Sequence, residues 1–132
     1  MNLHPRIAAD TLPVCITPDA HVRLMNDNRW PWLLLIPLQE HIEELHDLTH
    51  EQRDRFMADV NQVSRVLQRF TQCKSVNVAM LGNVVSQLHC HVVARDDNDP
   101  NWPGTVWGFG TAVPYEPGQA DELLATVRKS FK

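Results

Sequence analysis

Two alternating stretches, residues 75–81 and 85–95, constrain this chain more than any other feature. In the first, Ser75, Asn77 and Ala79 alternate with Val76, Val78 and Met80. In the second, Gln87, His89 and His91 alternate with Leu88, Cys90, Val92 and Ala94. Period-two patterning of this kind marks half-buried strands. Paired as a hairpin, directly opposed residues share a face. The two apolar rows then coincide only if even-numbered residues oppose even-numbered ones, which requires an odd number of loop residues or a bulge. A two-residue Gly82-Asn83 turn, the usual short hairpin solution, would set Val76 and Val78 beside the histidines and is disfavoured. With an odd loop, Asn77 shares the face of Gln87, His89 and His91.

The rest of the sequence supplies partners for that pair. Val14, Cys15 and Ile16, set between Pro13 and Pro18, read as a short edge strand, and residues 21–25 as a second strand. Asn26-Asp27-Asn28-Arg29 then carries turn chemistry. The dense apolar run 32–36 reads as a buried strand stopped by Pro37, so the first part of the chain is expected to be a β-meander. The clearest helix is 50–71: Phe56, Val60, Val63, Leu67 and Phe70 recur at helical spacing on one face. Thr49 with Gln52 resembles a capping box, and Glu51 and Asp54 suit the positive end of the helix dipole. Residues 40–46 suggest a short helical turn through Ile42 and Leu45. Residues 119–131 read as a closing helix with Leu123, Leu124, Val127 and Phe131 inward.

Between them, residues 96–117 hold four prolines, three glycines, two tryptophans, a phenylalanine and a tyrosine. A loop this long and aromatic is expected to be functional or to pack on something. The 132 residues suit a single domain. A net charge of −4 argues against general nucleic-acid binding but leaves room for a small phosphate-bearing ligand. The longest apolar run, 30–38, is interrupted by Pro31 and Pro37 and is too short to cross a membrane. Residues 1–10 lack the apolar core of a signal peptide. Three cysteines without CxxC spacing (Cys15, Cys73, Cys90) fit reduced thiols and a cytoplasmic setting.

The chemistry concentrates in Ser86-Gln87-Leu88-His89-Cys90-His91-Val92-Val93-Ala94-Arg95. On a strand, Gln87, His89, His91 and Arg95 project to one side about 7 Å apart, a row able to bind an anion. Near neutral pH an imidazole serves as nucleophile or, protonated, as cation. Adjacent rings can divide the work, one attacking phosphorus and the other donating to a phosphate oxygen. Two histidines so spaced are also a zinc geometry that needs a third ligand, or a coincidence of strand patterning. Cys90 faces the other way, and His41, His46 and His50 have no spacing that marks a site.

Gln87-Leu88-His89-Cys90-His91-Val92-Val93 resembles the signature of the histidine-triad (HIT) family of nucleotide hydrolases and transferases, three alternating histidines each followed by apolar residues. Here a glutamine stands at the first histidine, and the other two and every apolar slot match. Leu24-Met25-Asn26-Asp27, Leu33-Leu34-Leu35-Ile36-Pro37, Glu40-His41-Ile42 and Leu45-His46-Asp47-Leu48 look like successive landmarks of the same family, covering roughly residues 10–95. The tail, with Asp99-Pro100-Asn101-Trp102-Pro103-Gly104 and Val106-Trp107-Gly108, is similar to a bacterial branch labelled diadenosine-tetraphosphate-hydrolase-like.

The resemblance implies an α+β fold, a five-stranded antiparallel sheet with two main helices, in one domain over 1–132. It implies hydrolysis or nucleotidyl transfer at the α-phosphate of a nucleotide conjugate. His89 takes the nucleophile slot, His91 the phosphate-binding slot, and Gln87 the remaining triad slot. Asn77 matches a polar position near the phosphate, Asn26 or Asp27 the ribose-binding position, and the loop with Gly82, Asn83 and Ser86 a source of backbone N–H groups. Trp32 stands where many members carry a histidine. Trp102, Trp107 and Arg95 are candidates for the rim. The implied partners are a nucleotide and a second copy of the chain, with no cofactor required and magnesium accompanying a polyphosphate. The rival expectations are a non-catalytic nucleotide-binding module and a metal-binding protein using His89 and His91.

Overall fold

Apolarity on both sides of the run at 32–36 requires a covering layer on each face of the strand it forms. The computed structural model, which describes residues 2–132, supplies both layers. Its elements are α1 (Pro5–Asp10), β1 (Thr11–Ile16), β2 (Ala20–Met25), β3 (Trp32–Pro37), α2 (His50–Thr71), β4 (Ser75–Met80), β5 (Cys90–Arg95) and α3 (Asp121–Ser130). The strands form one antiparallel sheet in the order β1-β2-β3-β5-β4. All six residues of β3 are buried. On one face Leu33 and Leu35, with Val22, Cys90 and Val92, pack against Phe56, Val60, Val63 and Leu67 of α2 and Val127 of α3. On the other, Trp32, Leu34 and Ile36 pack with Ile7 of α1, Trp30, Val85, Val93 and Val106.

The hairpin parity is the one the alternation requires. Val76 opposes Ala94, Val78 opposes Val92 and Met80 opposes Cys90, so residues 81–89 form an odd-numbered connection. The second strand is shorter than expected, however. It begins at Cys90, not near Val85, because its pairings with both β3 and β4 end at Cys90. Beyond that point neither neighbour offers a ladder, and the Leu88 N–H donates instead to the Ile42 carbonyl at 2.8 Å. Gln87 therefore lies in the connection, and His89 just ahead of the strand.

Helix α2 runs over the expected 50–71, and both halves of the Thr49–Gln52 capping box form. Phe70 departs from the apolar stripe and is 40% exposed. The short turn expected at 40–46 is a 3₁₀ turn at Leu45–Asp47. The closing helix spans Asp121–Ser130, with Leu123 and Val127 buried and Leu124 and Phe131 half-buried against the core. Helix α1 adds a third helix to the two expected. Its signals are local: His4 caps it by accepting the Arg6 N–H at Nδ1, and Pro5 occupies the first turn. Residues 96–117 carry no helix or strand. No helix among the described residues is long and apolar enough to cross a membrane.

Urea unfolding should separate the two ends of the α2 stripe. Phe56→Ala should cost about 3–5 kcal/mol, and Phe70→Ala about 1 kcal/mol or less. Thr49→Ala, which removes the cap, should cost about 1 kcal/mol.

Candidate active site

His91 is the third residue-pair in from the end of β3 on the face opposite α2, with Leu34 and Ala79 as its cross-strand neighbours. His89 precedes it by one step of two, and the two rings meet edge-on with centroids 4.9 Å apart. Both residues are buried, at 7% and 5% exposure. They line a cleft of about 330 Å³ together with Trp32, Trp107, Arg6 and Asn83.

The hydrogen bonds fix which nitrogen of each ring carries its proton. The Trp32 indole Nε1–H donates to His91 Nδ1 at 3.0 Å. An indole nitrogen can only donate, so Nδ1 holds the lone pair and a neutral His91 carries its proton on Nε2. His89 Nδ1 lies 2.8 Å from the Gln87 carbonyl oxygen. A carbonyl can only accept, so here Nδ1–H is the donor, and in the neutral ring Nε2 holds the lone pair. Two adjacent imidazoles thus hold opposite tautomers. Burial, followed by the neighbouring His89, holds His91 down at about 3, so it is neutral at pH 7. Trp107 meets His91 edge-on at 5.3 Å and Trp32 at 6.3 Å, which completes an aromatic collar around that ring. On the opposite face of β5, burial pushes the Cys90 thiol up to about 12, which keeps it protonated and inert. Among the described residues no three His, Cys, Asp or Glu side chains gather into a group able to hold a metal.

The other expected site residues divide. Asn83 lines the histidine cleft, and Gly82 borders a small hollow shared with His89 and Gln87. Nothing lies within 4 Å of where a Cβ on Gly82 would sit, so the loop does not require a glycine there. Ser86 faces a different cavity, beside Asn2, His4 and Glu40. The Gln87 side chain turns to the N-terminal segment: its Oε1 accepts the His4 backbone N–H at 2.7 Å, and its Nε2 donates to the Asn2 carbonyl at 3.1 Å.

Asn26 and Asp27 border an adjoining cleft of about 480 Å³ that shares Arg6, Trp32 and Trp107 with the first. Their side chains hold the tail in place. Asn26 Oδ1 accepts the Tyr115 N–H at 2.9 Å, and Asp27 Oδ1 the Val113 N–H at 3.3 Å. Asp27 also takes Arg29 Nε and Nη2 at 2.9 and 2.7 Å. Burial would raise its carboxyl, but the Arg29 and Val113 hydrogen bonds outweigh burial and hold it below the usual carboxylate range.

Asn77 and Arg95 share the histidine face yet belong to a separate network. Arg95 is 2% exposed. Its Nε and Nη2 grip Asp99 at 2.7 and 3.2 Å, Nη1 donates to Asn77 Oδ1 at 3.0 Å, and Nη2 donates to the Gly104 carbonyl at 2.7 Å. The rim role expected for Arg95 is thereby replaced by a buried structural one. Trp102 goes with it, 5.8 Å from the Arg95 guanidinium and from the Lys74 ammonium, away from the cleft. Trp107 alone of the rim tryptophans reaches the histidines. Sequence reasoning missed Arg6, Asp10 and Met25 as cleft residues. The His4-Pro5 cap signal at the start of α1 was the available clue.

The matched family model is the HIT domain, over residues 8–98. The chain belongs to the HIT domain family. A histidine triad protein from Sinorhizobium meliloti is 39% identical, with a TM-score of 0.95 over 98% of this chain and 96% of that one. A histidine triad protein from Bradyrhizobium japonicum is 34% identical, with a TM-score of 0.96 over 99% and 98%. One from Marinobacter aquaeolei is 38% identical, with a TM-score of 0.94 over 98% and 95%. No curated protein matches the chain significantly.

Two measurements check this geometry. Arg95→Ala leaves Asp99 with the Asp96 and Asn101 N–H donors but without its guanidinium, and should cost about 3 kcal/mol in urea unfolding. For His91 the folded value lies below the ordinary 6.5, so the unfolded chain binds the extra proton between pH 6.5 and about 3. The stability this group contributes is complete above pH 6.5 and declines as the pH falls through that window. The limiting slope is about 1.4 kcal/mol per pH unit. Comparison with His91→Gln, whose unfolding should lack that component, isolates it.

Proposed function

We propose that this chain hydrolyses or transfers a nucleotidyl group at the α-phosphate of a nucleotide conjugate, a dinucleoside polyphosphate or a phosphoramidate, through a covalent intermediate on His89. The observation that carries this reading is the pair of opposite tautomers. His89 offers a lone pair at Nε2 and His91 offers an N–H at Nε2, side by side on one cleft, as displacement at phosphorus requires. The His89 Nε2 lone pair forms the N–P bond, and the leaving group departs with the bonding pair. Water then attacks phosphorus, the N–P electrons return to Nε2, and the water proton is released. His91 Nε2–H donates to a non-bridging oxygen throughout. The Gln87 carbonyl stabilises the positive charge that develops on the His89 ring, because Nδ1–H remains its donor.

The reaction so written uses no resident metal. Among the described residues Asp10 is the one carboxylate lining the histidine cleft, and Arg6 already faces it at 3.5 Å. The residues therefore do not fit a dedicated magnesium site, and magnesium enters as the counterion of a polyphosphate substrate. The adjoining cleft beside Asn26 and Asp27 is large enough for a nucleoside, and Asn83 with the neighbouring loop lies where backbone N–H groups can meet phosphate. The free thiols of Cys15, Cys73 and Cys90 suit a cytoplasmic enzyme. We assign a homodimer as the working form: β4 leaves an unpaired strand edge, with Val78 45% and Val84 71% exposed beside it.

Turnover of adenosine phosphoramidate and of diadenosine polyphosphates tests the reading. His89→Ala should lower kcat about 10³-fold or more while AMP binding persists. Denatured wild-type protein quenched during turnover should carry a nucleotidyl adduct on His89. AMP binding by the wild type without any turnover would favour the non-catalytic module instead.

A further inference from the structure

Neither the first nor the last position of the triad brings a charge to the phosphate, and the Gln87 side chain is turned to the N-terminal segment. Gln87 has no charge, and His91 is neutral. Among the described residues the one arginine or lysine lining the histidine cleft is Arg6, which also lines the adjoining cleft of Asn26 and Asp27. Arg6 thus stands where the two clefts join. Its side chain is 60% exposed and meets Asp10 at 3.5 Å, an exposed ion pair one helical turn apart. Such a pair is weak, so the guanidinium is free to exchange a lone carboxylate for phosphate, which it can grip with two parallel hydrogen bonds.

Three contacts hold Arg6 there. Ile7, its neighbour, is buried among Trp32, Leu34 and Val85. Thr11 Oγ1 donates to the Ile7 carbonyl at 2.6 Å and ties the end of α1 to β1. At the other end the Gln87 carboxamide clasps the backbone of Asn2 and His4, one donor and one acceptor from a single planar group. An imidazole cannot make this clasp, because its two nitrogens point in diverging directions.

On the reading of the preceding section, we propose that residues 2–10 form a substrate-facing arm. Arg6 binds the phosphates beyond the α-phosphate, and Gln87 is the positioning residue that holds the arm in place. The glutamine at the first triad position then exchanges a charge on the sheet for a charge on the arm, and the arm selects conjugates with a charged leaving group.

Calorimetric titration with AMP and with ATP tests this without requiring turnover. Wild type should bind ATP more tightly than AMP. Arg6→Ala should weaken ATP about tenfold and AMP by far less, and Arg6→Lys should recover part of the loss. Gln87→Ala and Gln87→His should each reproduce the selective loss for ATP. They should add little to it in the Arg6→Ala background, since both residues act through one contact. The ATP preference should shrink as salt is raised. Equal losses for both nucleotides, no loss in Arg6→Ala, or additive effects of the two sites would overturn the arm. Wild-type-like turnover in His89→Ala would overturn the covalent chemistry and leave the arm standing. Absence of AMP binding by the wild type would overturn both.

Discussion

Burial of β3 on both faces is the constraint around which the rest is arranged. A strand with no polar face needs two covers, and the chain makes them from different material. One cover is regular: the stripe of α2 and the inner residues of α3 form a cohesive apolar layer. The other is assembled from α1, Trp30, Val85 and the irregular segment after β5. The histidine cleft opens through the second cover, between Ile7, Trp32, Val85 and Trp107. The face that carries the histidine cleft is therefore the face whose packing is composite.

Trp32 joins the two roles. It is a core residue by burial, yet its one polar atom sets the tautomer of His91. Without that donor, His91 Nδ1 would be a buried acceptor with no partner, and a tautomer with the proton on Nδ1 would compete. Packing and chemistry are thus coupled through a single N–H···N contact. The choice of tryptophan at the first position of β3 is legible in those terms.

Much of the framework was legible in the sequence. The parity of the β4–β5 register followed from two alternating rows, because a one-residue slip would have put valines beside histidines. Helix α2 and its capping box followed from spacing and a local signature. The extent of β5 did not, because a strand ends where its neighbours stop pairing, and alternation in one segment carries no information about another. For the same reason Gln87 was expected on the histidine row. Arg95 followed the alternation correctly and was still misread, since its fate was decided by Asp99 and Gly104 on a segment without periodicity. Asn26 and Asp27 sit at the turn their chemistry suggested, but the strands of tail they hold, at Val113 and Tyr115, lie more than eighty residues away.

The segment after β5 is fastened along its whole length: the Gly104 carbonyl accepts from Arg95, Val106 is buried in the core and the Phe109 carbonyl accepts from Arg29. Near its start, Asp99 is locked to Arg95, and near its end Val113 and Tyr115 are hooked to Asp27 and Asn26. Trp107, set between the buried Val106 and the held Phe109, forms the wall beside His91. A change of length in this stretch has to keep Val106 in the core and the Phe109 carbonyl on Arg29. The wall beside His91 is thus built into the second apolar cover, so replacing the Trp107 side chain changes what the cleft meets while its neighbours in the chain keep the backbone in place.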